Sequence, residues 1–429
     1  MNGKRYQVVI VGSGAGGATL AKELSAKGKE VLVVEKGQHE KKVGTFRDSL
    51  RYFDCNSLTQ IPMKSKEGVI LWRCFMGGGT TVASCANGVR SLETELADHG
   101  IALEQEFAEA EREMGIGPID EKLLSEGSET IRWAAREIGY QMDLMPKFVD
   151  SSKCDKCGCC VFGCSHDAKW TAIDYLEDAA RSGAEIQNMT TVDRVLINNG
   201  KAVGVSVKGP GGRAEIAADL VVLAAGGLGT PVILQRSGIN DAGSGLFADL
   251  FVNTYGKTDG LNQVHEPAMA LVNQQFHQEK GFILSPFVNN HRLVRFVELG
   301  AAGLAGSSQT MLGIMTKTTD DPVGRVHPDG SISKPVTQAD WARLREGSSM
   351  AKEILVKAGA DSKSLVVSAV QGGHPGGTAA IGKVVDRDLQ TRVDGLFVCD
   401  ASVLPAAPGL PPILTIVALA KRLGKTLAV

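Results

Sequence analysis

Tyr6-Gln-Val-Val-Ile-Val11 runs directly into Gly12-Ser-Gly-Ala-Gly-Gly17, and Glu30-Val-Leu-Val-Val-Glu35 follows a segment that carries Leu20 and Leu24. The two apolar runs do not alternate with polar residues, as expected of strands buried on both faces of a parallel sheet. Ala18 to Lys27 reads as a helix with Leu20 and Leu24 on its apolar face. Together they make one β-α-β unit of about 30 residues. Within it, Gly12-x-Gly14-x-x-Gly17 divides three tasks: Gly12 permits the turn, Gly14 admits a pyrophosphate to the backbone, and Gly17 lets helix and strand pack. The helix N-terminus faces the phosphate charge. Glu35, 18 residues beyond Gly17, is placed to accept hydrogen bonds from ribose hydroxyls. An acidic group there disfavours a 2′-phosphate, so FAD or NAD is expected.

The rest of the chain narrows the class. With 429 residues, two domains are expected. Lys and Arg total 46 against 48 Asp and Glu, with no basic block, which excludes a nucleic-acid or anionic-lipid footprint. Glycine, at 51 residues, exceeds the ordinary share and implies many close backbone approaches. Apolar runs such as Leu220 to Ala225 and Ile413 to Ala420 are far shorter than the roughly 20 residues of a membrane helix. The first apolar run leads into a glycine turn and not into a cleavage site, so a cytoplasmic protein is expected.

A second region of strands runs from Ile186 to Val195, through Ala202 to Val207 and a turn at Gly209 to Gly212, to Leu220-Val-Val-Leu-Ala-Ala225. Helices are expected at Leu103 to Met114 and Gln338 to Ala358. Between Asp241 and Asp321, strand-like segments dominate: Phe247 to Val252, Ala268 to Val272, Gly281 to Phe287 and Leu293 to Leu299.

Four further segments carry a resemblance: Gly77-Gly-Gly-Thr-Thr-Val-Ala-Ser-Cys-Ala-Asn87-Gly-Val-Arg90, Val222-Leu-Ala-Ala-Gly-Gly-Leu-Gly-Thr-Pro231, His374-Pro-Gly-Gly-Thr378 and Val398-Cys-Asp400-Ala-Ser-Val-Leu-Pro405. In this order they resemble the successive signatures of the glucose-methanol-choline flavoprotein family, from one end of the chain to the other. The resemblance implies FAD and oxidation of an alcohol by hydride transfer to flavin N5. It also implies an α/β fold in which a Rossmann-type FAD-binding domain is built from discontinuous segments, 1–240 and 365–429, with a Cys-rich insertion near 150–170. An antiparallel-sheet substrate domain would span 241–364. Carried over residue by residue, Gly12, Gly14, Gly17 and Glu35 would hold the adenosine side, Gly77, Gly78, Gly79, Thr80 and Asn87 the middle of FAD, Val192 the adenine region, and Asp400 and Ala401 the flavin side.

His374 matches the family's catalytic histidine, and an imidazole of near-neutral pKa suits removal of an alcohol proton as hydride leaves. The match fails further on. Where the family has Asn or His near the C-terminus, this chain reads Gly409-Leu-Pro411-Pro412-Ile-Leu-Thr415, and proline brings neither a side-chain donor nor an N–H. The second partner of the substrate oxygen is therefore missing or comes from elsewhere.

Five of the nine cysteines crowd between Cys154 and Cys164. Cys154-x-x-Cys157-x-x-Cys160-x-x-x-Cys164 has the bacterial ferredoxin spacing for a [4Fe-4S] cluster, with Ser165 where proline is usual. Zinc on two Cys-x-x-Cys steps and unmetallated thiols are the alternatives, and the run also resembles that of long-chain alcohol oxidases. The leading expectation is an FAD-dependent dehydrogenase, not an oxidase, acting on a small-molecule substrate and passing electrons through the cluster to a carrier protein. A carbonyl or activated-alkene reductase fed through the cluster, and an electron-transfer flavoprotein module, are the other readings.

Overall fold

Runs of β-branched residues form strands buried on both faces, and the computed structural model, which describes residues 4–55, 63–304 and 307–428, places them so. Val8 to Val11 of the strand Arg5–Val11 (β1) and all of Val31–Val34 (β2) are buried. They pair in parallel, Val8 opposite Val31 through Val11 opposite Val34. The helix Ala15–Ser25 (α1) crosses between them with Leu20 and Leu24 buried, packed on the helices Ala172–Arg181 and Ile413–Leu427.

The sheet continues with Glu185–Gln187 beyond β2 and Gly212–Leu223 beside β1, both parallel. Gly212–Leu223 changes neighbour along its length. Its first half forms a hairpin with Lys201–Gly209, which carries Thr191–Asn198, whereas Val221–Leu223 pairs in parallel with Leu396–Val398 from the far end of the chain. This seven-stranded sheet is thus assembled from separated segments. Its parallel centre is wholly buried, while Thr191–Asn198 at the edge exposes most of its residues.

The second, six-stranded sheet is mostly antiparallel, in the order Phe282–Pro286, Met311–Thr318, Leu250–Lys257, Gln371–Gly372, Ile70–Leu71, with Val366–Val367 also on Leu250–Lys257. It draws on residues either side of 241–364. The helix Gln338–Lys357 covers one face so closely that a Cβ on Gly347 would sit 2.3 Å from Thr316 Cγ2. The fold is therefore α/β, with a dinucleotide-type sheet from discontinuous segments beside a largely antiparallel one.

One expected strand is a helix. Arg292–Leu299 is helical, begun by His291, whose side chain accepts from the Leu293 N–H. Its alternation misleads because the buried residues are Val294, Arg295 and Glu298, while Leu293 and Phe296 face outward. Among the described residues no helix is long and apolar enough to cross a membrane.

Candidate functional site

A cavity of about 540 Å³ runs from the C-terminal ends of β1 and β2 to the uncovered face of the second sheet. At its first end the three glycines separate by role. A Cβ on Gly12, at φ +98, would lie 2.3 Å from the Ala224 carbonyl oxygen, and one on Gly17 would lie 2.0 Å from that of Gly12. Both positions are closed by packing. A Cβ on Gly14 would meet nothing within 4 Å, because Gly14 borders the cavity. Gly14 is also the N-cap of α1, without a side-chain cap and with no acidic residue in the first turn. Open space before uncapped N–H groups suits a pyrophosphate.

Glu35 is buried, and its carboxylate accepts from Ser13 N at 3.0 Å, Ser13 Oγ at 2.6 Å and Gly37 N at 2.7 Å. It therefore braces the glycine turn as well as bordering the cavity. Gly79 packs on Gly14, where a Cβ would lie 2.9 Å from the Gly14 Cα. Gly79, Thr80, Asn87 and Val192 border the cavity; Gly17, Gly77 and Gly78 lie behind it. Asp400 and Ala401 border it too. The Asp400 carboxylate accepts from Gly226 N, Thr230 Oγ1 and Ser402 N at 2.8, 2.5 and 2.7 Å, tying the last segment to the helix Gly226–Arg236. Burial pushes this carboxyl up. The open Gly14, the uncapped start of α1 and a lining that reaches from there to Asp400 and Ala401 fit FAD.

His374 stands at the other end. Its N–H donates to the Ala248 carbonyl at 2.9 Å, and its Nδ1 lies 2.9 Å from Asp249 Oδ2. About a quarter of the imidazole surface, 26%, is open to the cavity, whereas Asp249 is fully buried. Asp249 Oδ1 accepts from Gly409 N at 3.0 Å. The ring is thus oriented by a carboxylate that is itself held, and among the described residues Nε2 has no hydrogen-bond partner. Burial pushes the Asp249 carboxyl up to about 7, and burial with the nearby Lys317 charge pushes His374 well below its ordinary 6.5.

Asp249, the partner of His374, is a candidate site residue that sequence reasoning missed. Its signal was a lone carboxylate inside Leu246-Phe-Ala-Asp-Leu-Phe-Val252, since a charge in so apolar a run needs a partner. Also missed were Lys317, Lys147 and the carboxylate of Glu298. Glu298 is buried and accepts from Asn253, Tyr255, Asn289 and Gln371, so its needs are met within the fold. Lys147 Nζ donates to Cys85 O, Asn87 Oδ1 and Ala268 O, which pins the glycine-rich stretch and uses the Asn87 oxygen.

The cluster expectation finds no support. Among the described residues no group of three or more His, Cys, Asp or Glu side chains is arranged to hold a metal ion, so the structure gives no support for [4Fe-4S] or zinc at Cys154, Cys157, Cys160 and Cys164. The run is pinned to different neighbours. Cys154 packs on the apolar cluster around Ile131, Cys159 Sγ donates to the Cys157 carbonyl, and Cys160 begins a short 3-10 turn. Buried Lys169 donates to Val82 O, Ser84 O and Cys160 O, fastening the run to the glycine-rich stretch. Val161 and Phe162 thereby become cavity wall.

Residues 7–252 and 316–420 match the N-terminal and C-terminal models described as GMC oxidoreductase. An uncharacterized protein of Methanocaldococcus jannaschii is 30% identical over 421 residues, 97% of this chain and 98% of its own length. A long-chain-alcohol oxidase of Arabidopsis thaliana is 25% identical over 513 aligned residues, 97% of this chain and 67% of that one. Pyridoxine 4-oxidase from Mesorbium loti superimposes with a TM-score of 0.77 at 16% identity, covering 98% of this chain and 99% of that one. Formate oxidase gives 0.76 at 16% identity, covering 100% and 98%. Likenesses at that identity speak for the fold.

Proposed function

The chain belongs to the GMC oxidoreductase family, and from that premise we propose that this FAD-dependent oxidoreductase oxidises an alcohol with an apolar body, His374 taking the hydroxyl proton. The observation that carries the reading is the His374–Asp249 contact of 2.9 Å, with Nε2 open to a cavity that continues past it. Bound FAD supplies the acceptor for the hydride. Asp249 fixes the ring so that Nδ1–H points at the carboxylate and the Nε2 lone pair points at substrate. Phe251, Met269, Phe287, Met315 and Trp72 give the wall a broad apolar part, which favours a hydrophobic alcohol. Room for such a body speaks for an enzyme over an electron-transfer module. The Arabidopsis relative, a long-chain-alcohol oxidase by name, supports the same class.

The test is anaerobic titration of FAD-loaded protein with primary alcohols from ethanol to dodecanol and benzyl alcohol. Loss of flavin absorbance with the longer or aromatic members supports the reading. Bleaching by dithionite but by no alcohol overturns it.

Asp249→Asn tests the orientation. Asn Oδ1 can keep the Gly409 N–H while its amide donates to Nδ1, which forces the proton onto Nε2 and removes the base. FAD content should hold, and alcohol-driven flavin reduction should slow by at least about tenfold. An unchanged rate would remove Asp249 from the chemistry.

The relay through a cluster is left out because no metal-holding group is seen among the described residues, and the preference for a dehydrogenase rested on that relay. Peroxide formed in step with alcohol consumed under air identifies an oxidase; turnover confined to artificial acceptors identifies a dehydrogenase. Cys157→Ser is expected to keep FAD and to change the reduction rate by no more than about twofold. Stoichiometric iron and sulfide in anaerobically prepared protein, lost in Cys157→Ser, would restore the cluster.

A further inference from the structure

Five lysines are buried among the described residues: Lys147, Lys169, Lys317, Lys334 and Lys421. Four are accounted for. Lys147 and Lys169 each donate to three oxygens, Lys334 pairs with Asp320 at 2.8 Å, and Lys421 pairs with Glu23 and Glu113. Lys317 is 2% exposed, and its Nζ has no hydrogen-bond partner among the described residues. A buried ammonium without a partner is costly, so the position calls for a group that the fold does not supply.

The direction of the side chain says where that group lies. In Met311–Thr318, Thr316 packs on the covering helix at Gly347, while Met315 and Lys317 line the cavity on the opposite face. Lys317 is in register with Phe251, two residues beyond Asp249, and Phe251 lines the same cavity. His374 and Pro411 line it as well. The Lys317 charge acts on Asp249 and His374, and Asp249 acts back on Lys317. A cation therefore faces the space where the base is, in a wall it shares with Phe251, Met315 and the already hydrogen-bonded Glu298 and Gln371.

We propose that Lys317 Nζ is the second polar partner of the substrate oxygen, supplied from the sheet because Pro411 supplies none. This rests on the alcohol-oxidation reading. In that reaction the hydroxyl proton goes to His374 Nε2, the C–H electron pair leaves with its hydrogen as hydride to FAD, and a carbonyl remains. Negative charge gathers on the oxygen while the proton departs ahead of the hydride. An N–H donor already aimed at it stabilises that charge without reorganisation.

Two measurements on the holoenzyme test it. First, Lys317→Met and Lys317→Arg are compared with wild type in rapid anaerobic flavin reduction by the fastest alcohol of the panel. Lys317→Met should keep FAD and lower the limiting rate about 10²- to 10³-fold, the loss typical of one such donor, and Lys317→Arg should recover part of it. An unchanged limiting rate overturns the proposal, and so does a weaker half-saturation at unchanged limiting rate, which would place Lys317 on a remote part of the substrate. Second, wild-type holoenzyme is treated with benzaldehyde and cyanoborohydride at pH 8. An amine and an aldehyde condense to an imine with loss of water, and the borohydride reduces it to a stable benzyl adduct. Burial lowers Lys317 to about 8, so it should label ahead of surface lysines near 10.4. Peptide mapping that finds surface adducts and none at Lys317 overturns the proposal even if Lys317→Met fails to fold. If no alcohol reduces wild type, the alcohol reading falls, while labelling still reports whether Lys317 faces the substrate space.

Discussion

Gly14→Val is expected to abolish FAD binding and leave the chain folded. The Cβ of residue 14 would point into space with nothing within 4 Å, so the branched side chain meets no protein atom at its root and the β1-α1-β2 unit need not shift. The same branches occupy the approach to the uncapped N-terminus of α1, where the proposed pyrophosphate contact depends on bare backbone. The neighbouring glycines provide the contrast. Valine at Gly12 or Gly17 would be driven into backbone oxygens at 2.3 and 2.0 Å, so those variants should lose the fold together with the cofactor. FAD released by denaturation gives the stoichiometry, and circular dichroism gives the fold. A ligand that binds only the native state raises the melting temperature. Gly14→Val should therefore melt with wild-type apoprotein, below the holoprotein, and be unmoved by added FAD. Stoichiometric FAD in Gly14→Val would relocate the nucleotide site.

The contrast between those glycines and the His374 site shows what the sequence could reveal. The β1-α1-β2 unit is contiguous, and its burial on both faces is written in unbroken valine and isoleucine runs, so both its elements and its cofactor end were legible. The partner of His374 was not, because Asp249 lies 125 residues away and meets it only through sheet pairing across two segments. Lys317 was hidden for the same reason, since only the register with Phe251 turns it to the cavity. Arg292–Leu299 misled because two of its charged residues are buried while Leu293 and Phe296 are exposed: Arg295 donates to the Asn289 carbonyl and Glu298 collects four donors. The Cys run had ligand spacing, but spacing sets only which sulfurs could meet. Lys169 and the apolar contacts of Cys154 hold the run against its neighbours, and Val161 and Phe162 form cavity wall.

His374→Ala is expected to keep FAD and lower alcohol-driven flavin reduction by about 10²- to 10⁴-fold, equivalent to about 2.7–5.4 kcal/mol of barrier. The fold has little reason to fail, because Asp249 retains the Gly409 N–H and, with its carboxyl pushed up to about 7 by burial, can take a proton when the imidazole is gone. The pH dependence separates lost base from lost shape. In wild type the Asp249–His374 pair acquires an extra proton as pH falls through about 7. That proton lies between the carboxylate and Nδ1, so the neutral ring then carries hydrogen on Nε2 and cannot accept another. The base-competent form is present above about 7 and is lost below it, and the wild-type rate should fall about tenfold per pH unit on the acid side. His374→Ala should have no such limb, and imidazole added to fill the vacated space should restore part of the rate with the pH dependence of free imidazole. A variant that keeps the wild-type rate, or that keeps the acid limb at its reduced rate, would assign the proton to another group.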